Sequence, residues 1–315
     1  MRYRRLGNTG LDVSILGLGG SSLGSAFREI DEADGLRCVH TAIEHGINLI
    51  DTAPYYGATK AETVLGKALR EIPRDSYLLA TKVGRYGLEP SDCDYSAACV
   101  ERSVDASLVR LGVDHVDFIQ VHDMEFGDIQ QIINETIPAL RRVQAAGKAR
   151  FVGITGLALH LFPLVMEHVE VDQIQSYCHY CLNDTALVGL LPLLQERGVA
   201  IFNSAPIAMR LLSIEGPPAW HPAPAALKEL CAEAAKLCAA RGGDISRLAL
   251  QFAVSNENIP VTIVGTADPR RIEQNIRDID EPMDEELLAE VRAVLQPLLD
   301  ATWAQGRPEN HPTCP

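Results

Sequence analysis

Residues 48–57 read NLIDTAPYYG: an apolar run that ends on a carboxylate, then a short turn, then two adjacent tyrosines. The run Asn48–Asp51 is short and apolar, as a buried strand is, and it stands between two stretches of helical period, Glu32–His45 and Ala61–Glu71. A strand framed by helices is the repeating unit of a parallel sheet. The same alternation recurs outward from this point. Further strands are predicted at Ile15–Leu18, Tyr77–Lys82, Val116–His122, Arg150–Thr155, Val171–Ser176, Val199–Asn203 and Val261–Gly265, which makes eight. Helices are predicted between them at Ser96–Arg110, Ile129–Ala146, Leu157–His168, Ala186–Arg197, Pro224–Ala240 and Pro269–Ile276, with Gly46, Gly147 and Gly198 placed as helix-ending residues.

Eight strand–helix units predict an α/β protein built as a closed (β/α)8 (TIM) barrel rather than an open doubly wound sheet. A dinucleotide-binding sheet of the open kind needs a G-x-G-x-x-G turn leading straight into a helix. The glycine cluster LGLGGSSLGS does not do this, because the next periodic segment starts near Asp31. The opening RYRRLGNTGLDVS reads as a hairpin closing the barrel floor, with Asn8 and Gly10 in its turn. A C-terminal helix and tail complete a single domain over residues 1–315, and the tail from Gln305, QGRPENHPTCP, is expected to be loose.

Composition narrows the partners. The chain has 315 residues, 47% of them hydrophobic, a formal net charge of -14 and a pI near 5.1. Such a chain buries one large core and repels polyanions, so nucleic acid is an unsuitable partner. No run of 18 apolar residues marks a membrane span, and a cytoplasmic, monomeric protein is expected. Eight cysteines are spread through a chain that needs no staples, and reduced thiols are expected. Cys178 and Cys181 in CHYC have zinc-ligand spacing but lack a second pair, so no metal site is expected.

The strands INLID, LLATK and FIQVH end on Asp51, Lys82 and His122. In a parallel barrel these ends share one mouth, and neighbouring strands lie about 4.8 Å apart. Each residue alone is as well explained as a turn former or a solvated side chain. Together, an acid, an ammonium and an imidazole beside a tyrosine can tune one another's protonation.

These segments, DTAPYYG, ATKVG and DFIQVHD, resemble the signature elements of the aldo-keto reductases, a barrel family that uses nicotinamide cofactors, and the match runs over nearly the whole chain. The resemblance implies that the catalytic tyrosine lies five residues beyond the aspartate, at Tyr56 and not Tyr55, with Asp51, Lys82 and His122 completing a tetrad. An unperturbed phenol titrates near 10, and a neighbouring ammonium favours the phenolate. Lys82, held by Asp51, is thus expected to make Tyr56 a base while His122 orients the reacting oxygen.

Within the family the segments LGNTGLDVS, ETIPALRRVQAAGKARFVGITGL, SYCHYCLND, EGPPAWHPA and TWAQG resemble the sugar dehydrogenase branch. The implied reaction is oxidation of L-galactose, or a related aldose such as L-fucose, at its anomeric carbon to give the lactone. The implied cofactor contacts are Gly20, Asp51, Thr155, Gln175, Ser204, Pro206, Ile207, Gly265, Thr266, Arg271, Gln274 and Asn275. Gly156 stands where the family pattern has asparagine, Ser204 where many members carry a stacking tyrosine, and Arg210 where glycine is common. Gly265 and Gln274 replace a lysine and a glutamate typical of NADPH-preferring members. That tilts the expectation to NAD, while Arg270 and Arg271 keep NADP open, their other reading being a solvated first helical turn. Expected sugar contacts are Tyr56, His122, Asp123, Trp220 and Trp303. Two other readings stand beside this one: an NADP(H)-dependent aldehyde reductase, and a cofactor-sensing barrel bound to a protein partner.

Overall fold

The computed structural model describes residues 1–25 and 29–311. A two-stranded antiparallel hairpin, β1 (Tyr3–Arg5) and β2 (Asp12–Ser14), precedes eight parallel strands. These are β3 (Leu16–Gly19), β4 (Leu49–Asp51), β5 (Leu78–Val83), β6 (Val116–Val121), β7 (Ala149–Gly156), β8 (Gln173–Tyr177), β9 (Ala200–Ser204) and β10 (Val261–Gly265). They follow one another around a closed barrel in which β10 pairs with β3, Thr262 opposite Leu16. The predicted (β/α)8 architecture, its eight strands and its N-terminal hairpin are therefore present.

Side chains alternate along a strand, and the inward set changes character with height. Leu49, Leu78, Ala80, Phe118, Ala200, Phe202, Val261 and Ile263 form one buried apolar cluster, and Leu6 from the hairpin completes it. The hairpin is thus a plug for the floor. One step of two residues further along the same strands come Asp51, Lys82, Gln120 and Ser204, all buried and polar.

Helices start where local chemistry allows. Asp31 caps Glu32–Glu44 by accepting from the Ala33 N–H, Ser96 caps Ala97–Leu111, and Asp268 caps Pro269–Asp280 with proline in its first turn. Several boundaries differ from expectation. The segment expected as Leu157–His168 is helical only over Leu161–Met166, and Ile129–Ala146 contains a π-helical turn at Ile132–Thr136. The helix Ile245–Ser255 was not predicted. Every residue in it except Arg247 and Ser255 is buried. The expected C-terminal helix is Glu285–Leu295, which buries Leu287, Leu288, Val291 and Leu295.

The tail expected to be loose from Gln305 is held as far as Asn310. Gln305 Nε2 donates to Glu125 Oε1 at 2.6 Å, the Arg307 N–H donates to the Glu125 carbonyl at 2.9 Å, and Asn310 Nδ2 donates to the carbonyls of Glu125 and Gly127. Polar composition misled here because these residues satisfy a buried loop rather than water. The last four residues, 312–315, lie outside the described residues.

Cys178 and Cys181 are both buried, and the Cys181 thiol donates to the Cys178 carbonyl. Among the described residues the cysteines are free, and no three His, Cys, Asp or Glu side chains are grouped to hold a metal ion. No described helix is long and apolar enough to cross a membrane.

Candidate active site

Three strand ends and the turn after β4 bring four expected side chains to one place. Lys82 Nζ lies 2.7 Å from each oxygen of Asp51 and 2.9 Å from the Thr52 carbonyl. All three ammonium hydrogens are therefore committed, which is what permits a charge with only 1% of its surface exposed. Asp51 accepts further from Gln120 Nε2 at 3.0 Å and Gln175 Nε2 at 3.1 Å. A buried ion pair costs desolvation unless every remaining lone pair finds a donor, and here the two glutamines supply them.

Lys82 Nζ stands 5.2 Å from the centre of the Tyr56 ring, and the Tyr56 and His122 rings meet edge to face at 5.6 Å. With no hydrogen to spare, the ammonium acts on the phenol through its field alone. That field is largely cancelled by Asp51. The Tyr56 phenol is pushed well above its ordinary value, by burial first and then by the negative charges of Asp51 and Asp123. The expectation that Lys82 makes Tyr56 basic is thus not met by these residues alone; the phenol rests protonated. His122 is driven down to about 3 by burial, with Lys82 and Arg85 adding to the effect and Asp123 opposing it. A neutral imidazole follows at any ordinary pH, and its Nδ1 has no partner.

Sequence reasoning missed Arg85. Its guanidinium pairs with Asp123, lies 4.3 Å over the Tyr55 ring and 3.9 Å over Phe126. Asp123 adopts φ +46°, an unfavourable left-handed conformation for a residue other than glycine. It is over-determined: Thr155 Oγ1 accepts its N–H at 2.9 Å, and the Tyr95 hydroxyl donates to its carbonyl. Asp123 is therefore an ion-pair partner on the wall rather than a lone acceptor. Tyr55 lines the cavity with its hydroxyl 3.4 Å from Arg85 Nη2.

These groups open into a cavity of about 1450 Å³, more than the ~300–1,000 Å³ of a site for one small ligand. From the tetrad it runs past Gly20, Thr155, Gln175, Ser204, Pro206 and Ile207 to Gly265, Thr266, Arg271 and Asn275. Two expected residues are not on it. Gln274 Nε2 bonds Asp278 along its own helix. Trp303 is buried behind the mouth, its ring edge-on to His221 at 5.2 Å. Trp220 does line the opening, 55% exposed, with its ring parallel to that of His221. Tyr177, Arg85 and Gln305 line the cavity without having been singled out. Gln120 had a signal: it is the polar inward position between Phe118 and His122.

The cavity residues suit a nicotinamide dinucleotide. Gln175 gives both donor contacts to Asp51 and Ser204, which leaves its Oε1 buried and unpartnered, an acceptor for a carboxamide N–H. Glu29, Asp31 and Asp34 line the cavity along with Arg270 and Arg271; Arg270 pairs with Asp268, Glu29 with Lys60 and Asp34 with Arg37. Carboxylates there oppose an added phosphate.

Comparison with known proteins agrees with this geometry. The Aldo/keto reductase family matches residues 15–296. The chain is 45% identical to an L-galactose dehydrogenase of Arabidopsis thaliana, over 98% of this chain and 99% of that one. It is 32% identical to a D-arabinose 1-dehydrogenase of Saccharomyces cerevisiae, covering 77% of this chain and 76% of the other. Among solved structures, the holo form of aldo-keto reductase AKR11C1 from Bacillus halodurans superposes with a TM-score of 0.76 at 29% identity, covering 97% of this chain and 98% of that one. With its barrel and its sequence both matching, the chain belongs to the aldo/keto reductase family.

Proposed function

We propose that this protein is an NAD-dependent aldose 1-dehydrogenase that oxidises L-galactose, or a closely related aldose, to its lactone. The observation that carries the chemistry is the enclosed wall formed by Tyr56, the Lys82–Asp51 pair and the neutral His122. The substrate is taken from the relative with which the chain shares nearly its full length.

Bound oxidised nicotinamide supplies the hydride acceptor and a positively charged ring. The chain's own residues do the rest. His122, as a neutral imidazole, hydrogen-bonds the anomeric oxygen and fixes its angle without competing for the proton. Tyr56 takes the anomeric O–H proton as the anomeric hydrogen leaves carbon with its electron pair, and the C–O bond becomes the lactone carbonyl. Because the resting phenol is protonated, oxidation requires Tyr56 to lose that proton first, so lactone formation speeds up as pH rises. The same resting state makes Tyr56 a ready acid in the reverse direction. Asp51, Gln120 and Gln175 keep Lys82 fixed so that the phenol is held in one place. NAD is favoured over NADP because the cavity that holds Arg270 and Arg271 is also lined by the carboxylates Glu29, Asp31 and Asp34.

The test is reduced-cofactor formation, followed by absorbance, with L-galactose, L-fucose, D-arabinose, L-glucose and pyridoxal, each with NAD and NADP. L-Galactose with NAD is expected to give the highest kcat/KM, roughly tenfold or more above NADP. Fast NADPH-dependent reduction of simple aldehydes with all sugars inert would overturn the proposal.

A further inference from the structure

Glu125 is a fully buried carboxylate that the proposed chemistry does not use. It sits behind the cavity wall, and burial, followed by the charge of Asp123, raises it to about 7. Its Oε1 accepts the Leu157 N–H at 2.9 Å and Gln305 Nε2 at 2.6 Å. Its Oε2 has no partner and occupies the space beside Gly156, where an added Cβ would stand only 2.5 Å away. A side chain at this position would collide with that oxygen, so the glycine and the carboxylate fit each other. Gly306, at φ +78°, lets the tail pass so close to the Glu125 carbonyl that a Cβ would lie 2.2 Å from it. The loop and the tail are built to bring Gln305 against this one carboxylate.

The consequence is directional. Glu125 Oε1 accepts the Gln305 NH2 beside the Leu157 N–H, and a carboxyl oxygen in that state has no hydrogen to offer the amide oxygen, so the Gln305 carboxamide turns its NH2 towards Glu125. The other amide hydrogen goes to the Tyr177 hydroxyl oxygen. Gln305 Oε1 is then left as an acceptor, and Tyr177 keeps its own hydroxyl hydrogen to donate. Both residues line the cavity that holds Tyr56 and His122. We propose that Glu125 is a positioning residue that orients Gln305, so that Gln305 Oε1 and the Tyr177 hydroxyl form an acceptor–donor subsite for substrate hydroxyls other than the one reacting at Tyr56. This rests on the aldose reading above, and the ligand class is a polyhydroxylated carbonyl compound or hemiacetal.

The experiment is steady-state kinetics on the full chain with L-galactose and its monodeoxy analogues, for the parent, Gln305→Ala, Tyr177→Phe, Glu125→Gln and the Glu125→Gln/Gln305→Ala double variant. NAD affinity and thermal unfolding are measured on each. Loss of one or two neutral hydrogen bonds predicts that Gln305→Ala raises KM for L-galactose about tenfold, with kcat changed less than about twofold. At least one deoxy analogue, the one lacking the bound hydroxyl, shows no such rise. Glu125→Gln raises KM about threefold and adds nothing on the Gln305→Ala background, because it acts only through that amide. A KM rise equal for every analogue, no rise at all, or multiplying effects of the two substitutions overturns the subsite while leaving the activity in place. A parent chain that turns over no aldose overturns the proposed function and the subsite's ligand class together.

Discussion

The two ends of this barrel are made by the same strands and obey opposite rules. On β5 the inward residues run Leu78, Ala80, Lys82; β6 and the residue after it give Phe118, Gln120, His122; β9 gives Ala200, Phe202, Ser204. Two residues of rise, about 6.6 Å, separate a dry apolar plug from a cluster of charges. The floor asks only for size and hydrophobicity, and Leu6 of the hairpin supplies the last piece. The mouth asks that its charges be matched, as the three donors of Lys82 are, and it leaves acceptors and donors such as Gln175 Oε1 and His122 Nδ1 open towards the cavity. Stability resides in one layer and chemistry in the next.

The substitution expected to test this separation most severely is Tyr56→Phe. It removes one oxygen from the mouth and should lower kcat by about 10²–10⁴-fold, the usual worth of a placed acid–base group. NAD affinity, by titration, and the unfolding midpoint should both stay close to those of the parent. A Phe variant that turned over like the parent would remove Tyr56 from the chemistry.

Phe118→Ala attacks the other end. Phe118 is fully buried and packs against Phe151 and Phe202 at 5.1 Å between ring centres. Its truncation should cost about 3–5 kcal/mol in chemical denaturation, by lost burial and an unfilled cavity. The activity of the molecules that remain folded should be near normal. If kcat per folded molecule fell with stability, the two layers would be coupled and the contrast would fail.

How much of this was legible follows from the same contrast. The strands could be read because short apolar runs between stretches of helical period are a local signal, and Asp51, Lys82 and His122 because polar residues end three of them; Tyr56 was singled out only by the resemblance to the family. The helix Ile245–Ser255 was missed although its apolar residues do recur at helical period. Partnership was the least legible. Glu125 and Gln305 are 180 residues apart, and neither neighbourhood announces the other. Trp303, expected at the mouth as a sugar contact, is used instead to pack the tail on His221. Asp123 was legible as a polar residue beside His122, but its engagement with Arg85 was not. The direction of the Tyr56 shift was misjudged for a related reason: the pairing of Lys82 with Asp51 was foreseen, but not the burial of the phenol or the opposing charges of Asp51 and Asp123 that raise it.

The mouth also titrates, whereas the floor cluster is wholly apolar. His122 is held at about 3 against an ordinary 6.5, so the unfolded chain binds a proton there that the folded chain refuses between those values. Its contribution to stability is complete above 6.5 and is lost as pH falls towards 3. Glu125 behaves inversely. Held at about 7 against 4.5, it is protonated in the folded chain where the unfolded chain has lost its proton, so its contribution is complete below 4.5 and is lost as pH rises through 7. The groups facing it, Asp123, Tyr95 and Tyr177, are anionic or neutral, and none supplies a cation to reverse that sign. Between about 4.5 and 6.5 the two slopes oppose each other. Glu125→Gln should unmask the His122 slope, making stability climb with pH across that window more steeply than in the parent, by at most the one-proton limit of about 1.4 kcal/mol per pH unit. Urea unfolding of both proteins at half-unit intervals reads this directly, and parallel curves would mean that Glu125 is ionised throughout and that its unpartnered oxygen carries a full charge.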